Sequence, residues 1–127
     1  MAVLSSQKYA GYAYNIEVDD FLVSTDVTQK LGGKNLAPDP HQYLEASLAG
    51  CTAMTVEMYA KRKNMNLESV DVKIRIVEEG EINRIERDIK FIGELSEEER
   101  NSLLVIANKC PIHKFLTRGA EISTKEF

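Results

Sequence analysis

The chain has 127 residues, of which 43% are hydrophobic and 28% are charged. This length and balance are typical of one globular domain over residues 1–127, and they exclude disordered and collagen-like chains. No apolar run approaches the ~20 residues that a membrane span requires. The first residues also lack the basic and apolar blocks of a signal peptide. We therefore expect a soluble cytoplasmic protein that does not bind a membrane.

The charge balance argues against nucleic acid as a partner. Sixteen basic and twenty acidic residues give a net charge of −4. Binding to a phosphate backbone by counterion release requires a concentrated basic face. The one basic cluster, at residues 61–63, is more simply interpreted as the charged last turn of a helix.

The N-terminal third predicts a β-hairpin followed by a loop. Residues 9–18 alternate weakly and suit a strand, Asp19 and Asp20 indicate a turn, and residues 21–25 suit the partner strand. Two glycines and two prolines in residues 32–40 then predict a stiffened loop.

A long helix is predicted from His41 to about Lys63, with Asp39 as N-cap and Pro40 in the first turn. Its apolar positions recur at spacings of four and three, which places one face on the side chains of Leu44, Leu48, Cys51, Thr55 and Met58. Further apolar residues between them predict a helix that is largely enclosed.

The second half predicts two strands, a helix and a short final strand. Residues 70–76 alternate as a half-buried strand, and residues 85–93 form a second one whose apolar face is interrupted by Arg87. A capping box at Ser96–Glu99 starts a helix that runs to Cys110, where Pro111 interrupts or restarts it. Residues 121–124 suit a strand. The order ββ–α–ββ–α–β predicts an α+β fold with antiparallel strands.

The candidate catalytic or metal-binding residues are two cysteines and two histidines, and the chain contains no other residue of either type. Cys51 and Cys110 are small buried residues in one interpretation. In a second, they join His41 and His113 in a zinc site, although only Cys110 and His113 have a ligand-pair spacing. In a third, one thiolate attacks a peroxide and the other thiol closes a disulfide, which requires Cα atoms within about 7 Å.

Two motifs favour the third interpretation. Residues 38–56, PDPHQYLEASLAGCTAMTV, followed by YAKRK at 59–63, resemble the central-helix motif of the OsmC/Ohr family. Residues 107–114, ANKCPIHK, resemble the second motif of that family. Together with the strand order, the resemblance covers essentially the whole chain.

The resemblance implies a fold and an activity. The fold is an intertwined homodimer in which sheets from both subunits surround long central helices. The activity is that of a thiol peroxidase that reduces organic hydroperoxides, draws electrons from an external dithiol and has no bound cofactor. By motif match, Cys51 is the peroxidatic residue and Cys110 the resolving one.

The chain departs from the family pattern at two positions. Characterised peroxidases of the family have Glu where this chain has His41, and they hold the thiolate with an N-terminal Arg, whereas no Arg precedes Arg62 here. His41 is a candidate for an activating or binding role, because an imidazolium near Cys51 would favour the thiolate. Hydrogen bonding at the helix start is the alternative for His41. The departures leave a second hypothesis open, a dimer of this fold that binds a small apolar or thiol ligand without efficient turnover.

Overall fold

The computed structural model describes the backbone of residues 3–127 and the side chains from residue 6 onward. It contains three helices and two antiparallel sheets. No helix in the described part of the chain is long and apolar enough to cross a membrane. In chain order the elements are β1 (Val3–Ala10), β2 (Ala13–Val18), β3 (Phe21–Thr25), α1 (Pro40–Arg62), β4 (Asn66–Glu78), β5 (Arg84–Glu94), α2 (Glu97–Ala107) and α3 (Pro111–Arg118).

A three-stranded sheet of order β1-β2-β3 forms the first compact unit, which ends at Leu44. The predicted hairpin between β2 and β3 is confirmed, with Val18 opposite Phe21 across the turn. The predicted single strand over residues 9–18 is wrong, because Gly11 adopts a positive φ of 55° and turns the chain between β1 and β2. Glycine takes this conformation without steric cost, so the backbone reverses there.

The predicted loop before α1 is confirmed, and the buried carboxylate of Asp26 organises it. Asp26 accepts hydrogen bonds from the backbone N–H groups of Val27 (2.7 Å), Lys34 (3.2 Å) and Leu36 (3.1 Å). These bonds, led by that of Leu36, lower the pKa of the Asp26 carboxyl against the opposing effect of burial. The loop is therefore stabilised by an ionised carboxylate.

Helix α1 begins as predicted. Asp39 Oδ1 accepts from the Gln42 N–H at 2.8 Å, while Gln42 Oε1 accepts from the Asp39 N–H at 2.9 Å, which is a reciprocal cap. The predicted buried face is wrong in part. Met58 is 66% exposed, and the buried stripe instead runs at intervals of four through Leu48, Thr52, Val56 and Ala60.

The second compact unit, residues 45–127, contains the rest of α1, the β4–β5 hairpin and the two C-terminal helices. The capping box at Ser96 is confirmed in both directions. Residues from α1, β5 and α2 form the core of this unit, namely Val56, Ala60, Phe91, Leu103 and Ala107. The register places Arg87 of β5 opposite Ile74 of β4.

Two predictions concern the end of the chain. Pro111 restarts the helix as α3, so the interruption after α2 is confirmed. The predicted strand over residues 121–124 is wrong, since residues 119–127 form no helix or strand. A four-residue alternating pattern becomes a strand only when a neighbouring strand pairs with it, and no strand in the described part of this chain does so.

Candidate active site

Cys51 lies in the middle of α1 and is half-buried. Its Sγ is 4.0 Å from Oγ1 of Thr55, one turn further along the helix. The next residue, Thr52, is fully buried, and its hydroxyl donates to the Leu48 carbonyl at 2.7 Å. This bond fixes the rotamer of Thr52 and leaves its oxygen free to accept from another donor.

Cys110 lies between α2 and α3 and is fully buried. It is the N-cap of α3, and its Sγ accepts from the backbone N–H of His113 at 3.4 Å. Pro111 at the first helical position suits this geometry, because proline lacks the N–H that would otherwise need a partner there. The Cys-Pro-Ile-His segment therefore fixes the position of the thiol with its own backbone.

The structure brings the two cysteines together from positions 59 residues apart in the sequence. Both are free thiols. Burial raises the pKa of the Cys110 thiol, and the neighbouring Cys51 side chain raises it further. Cys110 is thus held as a neutral thiol beside Cys51.

Arg87 is the residue of this site that sequence reasoning missed. It extends from β5, where its Nη1 donates to Thr52 Oγ1 at 3.1 Å and its Nη2 donates to Asn108 Oδ1 at 2.8 Å. Burial lowers the pKa of the Arg87 guanidinium, while negative charge on Cys110 and on Cys51 raises it. The guanidinium therefore lies within electrostatic reach of both thiols.

The sequence analysis showed only that Arg87 interrupts the apolar face of its strand. Within the described residues its two hydrogen-bond partners are neutral. The available signal was positional, because Arg87 occupies the inward-facing register of β5 together with Ile85, Ile89 and Phe91. A charged residue on an inward face needs a polar or charged neighbour, and the sequence could not say which.

The two histidines differ in their relation to the cysteines. His113 is half-buried on α3, and its pKa is lowered first by burial and then by the charge of Arg87. His41 is exposed in the first turn of α1, ten residues before Cys51 on an unbroken helix, which is roughly 15 Å of helix length. The structure therefore brings His113, but not His41, to the cysteine pair.

The described side chains do not have the geometry of the hypothetical zinc site. Across the described side chains, no three His, Cys, Asp or Glu residues lie close enough to hold one metal ion. Structural zinc needs four such ligands in a tetrahedron. The cysteines are instead arranged with one another and with a cation, which is a geometry suited to thiol chemistry.

The family profile for OsmC-like proteins matches residues 32–125. The chain belongs to the OsmC-like protein family. The match includes both cysteines, Arg87 and the whole of α1, so it spans the candidate site. No curated protein matches the chain.

Solved structures share the fold of this OsmC-like chain. The OsmC-like protein from Mycoplasma pneumoniae is 20% identical with a TM-score of 0.69, covering 87% of this chain and 88% of that chain. An organic hydroperoxide resistance protein from Legionella pneumophila is 20% identical with a TM-score of 0.62, and the match covers 91% of this chain and 91% of that chain. One from Elizabethkingia anophelis is 20% identical with a TM-score of 0.67, and the match covers 94% of this chain and 90% of that chain. At these identities the similarity shows the fold alone, and the α+β, OsmC-like prediction is confirmed.

Proposed function

We propose that the chain is a thiol-dependent peroxidase that reduces organic hydroperoxides, with Cys51 as the peroxidatic residue and Cys110 as the resolving one. The observation that carries the proposal is the placement of half-buried Cys51 near fully buried Cys110, whose Sγ accepts from the backbone N–H of His113. The more accessible thiol meets the substrate, and the buried one meets only its neighbour. Family membership supports a role in hydroperoxide resistance, and two neighbours in fold bear that name.

The first step oxidises Cys51. Its thiolate attacks the terminal oxygen of the hydroperoxide, an S–O bond forms and the O–O bond breaks. Cys51 becomes sulfenic acid, and the alkoxide leaving group takes a proton to give the alcohol. The peroxide has then gained two electrons, both from the sulfur of Cys51.

The second step closes a disulfide. The Cys110 sulfur attacks the sulfenic sulfur of Cys51, the S–S bond forms and the S–O bond breaks. The hydroxide that leaves combines with the proton from the Cys110 thiol as water. An external dithiol restores both thiols by two exchange reactions and becomes a disulfide itself. The raised pKa of Cys110 keeps its proton available until this step.

The proposal includes a homodimer in the cytoplasm. Two free thiols suit a reducing compartment. Large apolar side chains are exposed on each compact unit, including Met54 and Met58 on α1 and Tyr12 and Phe21 in the first sheet. A long helix with exposed methionines on one side and a buried stripe on the other suits burial of the exposed side by a second copy.

The proposed function is tested by adding one equivalent of cumene hydroperoxide to reduced protein and following intact mass over seconds. We expect rapid loss of two hydrogen masses in the wild type, from a disulfide between Cys51 and Cys110. Cys110→Ser should gain one oxygen, trapped as a dimedone adduct, and Cys51→Ser should stay unchanged. If the wild-type thiols react no faster than free cysteine, the peroxidase proposal is wrong.

A second candidate is a dimer of the same fold that binds a small apolar or thiol ligand without efficient turnover. It is favoured by His41 in place of the family's Glu and by the lack of any Arg before Arg62. Unchanged wild-type mass in the same experiment, together with saturable protection of Cys51 from alkylation by a small thiol, would favour this candidate over the first.

A further inference from the structure

We propose that Arg87 is the cation that favours the thiolate at this site, positioned for that purpose by Thr52 and Asn108. The proposal rests on the proposed function, since only thiol chemistry requires the thiolate. In this proposal Arg87, on a strand in the middle of the chain, has the role that an N-terminal Arg and a helix Glu have in the family pattern. Arg87 acts through the charge it presents to the sulfur atoms and is a positioning residue.

The two hydrogen bonds of Arg87 connect the two segments that carry the cysteines. Nη1 is bonded to Thr52, the residue directly after Cys51 on α1. Nη2 is bonded to Asn108, two residues before Cys110. One planar guanidinium thus spans the gap between α1 and the segment after α2. A fork with several donors in a fixed plane can make both bonds at once, whereas a lysine ammonium would reach one of them.

The charge of Arg87 has no carboxylate partner in the described part of the chain, and both of its hydrogen-bond acceptors are neutral. Two other arginines of the β4–β5 hairpin, Arg75 and Arg84, each pair with acidic side chains at the surface. A half-buried cation is costly unless an anion lies near it. Because Cys110 is held as a neutral thiol, the anion that this site can form within electrostatic reach of Arg87 is the thiolate of Cys51.

Among the residues whose side chains the structure describes, no other cation around the cysteines fills this role. The elements packed there contribute Cys51 from α1, Arg87 from β5, Cys110 from the segment after α2 and His113 from α3. The pKa of His113 is lowered by burial and by Arg87, so its imidazole is neutral at pH 7. Lys109 and Lys114 lie within the second motif, on either side of the Cys-Pro-Ile-His segment, but both are exposed to solvent.

The test measures thiolate formation without using a peroxide. In the Cys110→Ser background, the rate of Cys51 alkylation by iodoacetamide is followed from pH 5 to 10 for Arg87, Arg87→Lys and Arg87→Gln. A nearby opposite charge typically favours the ionised form by 1–3 pH units. We therefore expect Arg87→Gln to move the alkylation profile up by about one unit or more, with about a tenfold loss of rate at pH 7. Arg87→Lys should recover part of this shift.

Two controls separate charge from structure. Arg84→Gln removes an arginine from the same strand at a position where it pairs with Glu78, and its profile should match that of the parent. Thr52→Val keeps the arginine but removes one of its two anchors, so its profile should move less than that of Arg87→Gln. Circular dichroism and thermal melts confirm that each variant is folded. If Arg87→Gln does not fold, Arg87→Lys and Thr52→Val decide the question.

The outcomes distinguish this inference from the proposed function. Profiles for Arg87→Gln and Arg87→Lys that coincide with the parent would overturn the role of Arg87, even if the wild type still reduces cumene hydroperoxide. An upward shift in Arg87→Gln that lysine partly reverses would support the role of Arg87, even if the wild type consumes no hydroperoxide. Equal shifts in the Gln and Lys variants would mean that Arg87 acts through packing and would also overturn it.

Discussion

Nη2 of Arg87 donates a hydrogen bond of 2.8 Å to Oδ1 of Asn108, which fixes the guanidinium of β5 to the segment that precedes Cys110. Asn108 is exposed and presents a neutral acceptor, so the positive charge of Arg87 is left available to the sulfur atoms. A carboxylate at position 108 would accept the same bond and would also neutralise that charge.

Asn108→Asp is therefore expected to suppress thiol reactivity, and Asn108→Ala to affect it less. The added carboxylate pairs with Arg87 and adds a negative charge near the thiols, and both effects disfavour the thiolate. We expect about a tenfold loss in the rate of Cys51 alkylation at pH 7 for Asn108→Asp. The measurement is the rate of Cys51 alkylation at pH 7 in the Cys110→Ser background, together with thiolate absorbance at 240 nm against pH. An alkylation rate for Asn108→Asp that equals or exceeds the rate for Asn108→Ala would contradict this prediction.

The sequence predicted the elements whose signals are local. The capping box at Ser96, the alternation of β4 and the cap at Asp39 each depend on residues within a few positions of one another, and all three are confirmed. The role of Arg87 was not predictable in this way. Its contact with Thr52 joins residues 35 positions apart, and alternation shows only that its side chain faces inward.

The buried face of α1 was misjudged for a different reason. Apolar side chains surround much of this helix, so its periodicity fits more than one stripe. Packing against β5 and α2 selects the stripe that contains Val56 and Ala60, and it leaves Met58 outside. The cysteine pair was predicted from the motif resemblance, and neither composition nor spacing could have shown that the two thiols meet.

Leu103 supports the core of the second unit, where it is fully buried against residues of α1 and β5. Leu103→Ala removes buried methyl groups and leaves a cavity, so we expect a loss of about 2–5 kcal/mol in the free energy of unfolding. Urea denaturation monitored by circular dichroism measures the change. Asn101→Ala, at an exposed position of the same helix, should change stability by less than about 0.5 kcal/mol. Comparable losses in both variants would mean that Leu103 is not part of the core.

Asp26 makes stability depend on acid pH. Its pKa is lower in the folded chain than the value near 3.8 that an unfolded chain has, because backbone N–H groups, led by that of Leu36, stabilise the carboxylate. The folded state therefore binds this proton more weakly than the unfolded state. The contribution of Asp26 is complete above pH 3.8 and is lost as the pH falls below it, toward the folded pKa.

Asp26→Asn should accordingly be less stable than the wild type at pH 6, and the difference should narrow at pH 3. Asparagine has one acceptor oxygen and an NH2 group that cannot accept from the loop amides. Urea midpoints at the two pH values provide the measurement, and Asp71→Asn at an exposed position of β4 provides the control. A stability difference between Asp26→Asn and wild type that is the same at both pH values would refute the proposed linkage.

Met58 tests the proposed homodimer. Its side chain is 66% exposed on α1, and Met54, one turn earlier, is 55% exposed. If a second copy covers this side of the helix, Met58→Glu forces a carboxylate into an apolar interface without disturbing the core of its own subunit. Substitution of a central interface residue typically costs 2 kcal/mol or more, so we expect the dimer dissociation constant to rise at least about 30-fold. Sedimentation equilibrium measures this constant, and circular dichroism confirms an unchanged fold.

Lys109→Glu is the control for Met58→Glu, because it introduces the same glutamate at an exposed position after α2 and should leave association unchanged. A Met58→Glu protein that associates as tightly as the wild type would exclude this face of α1 from the dimer interface.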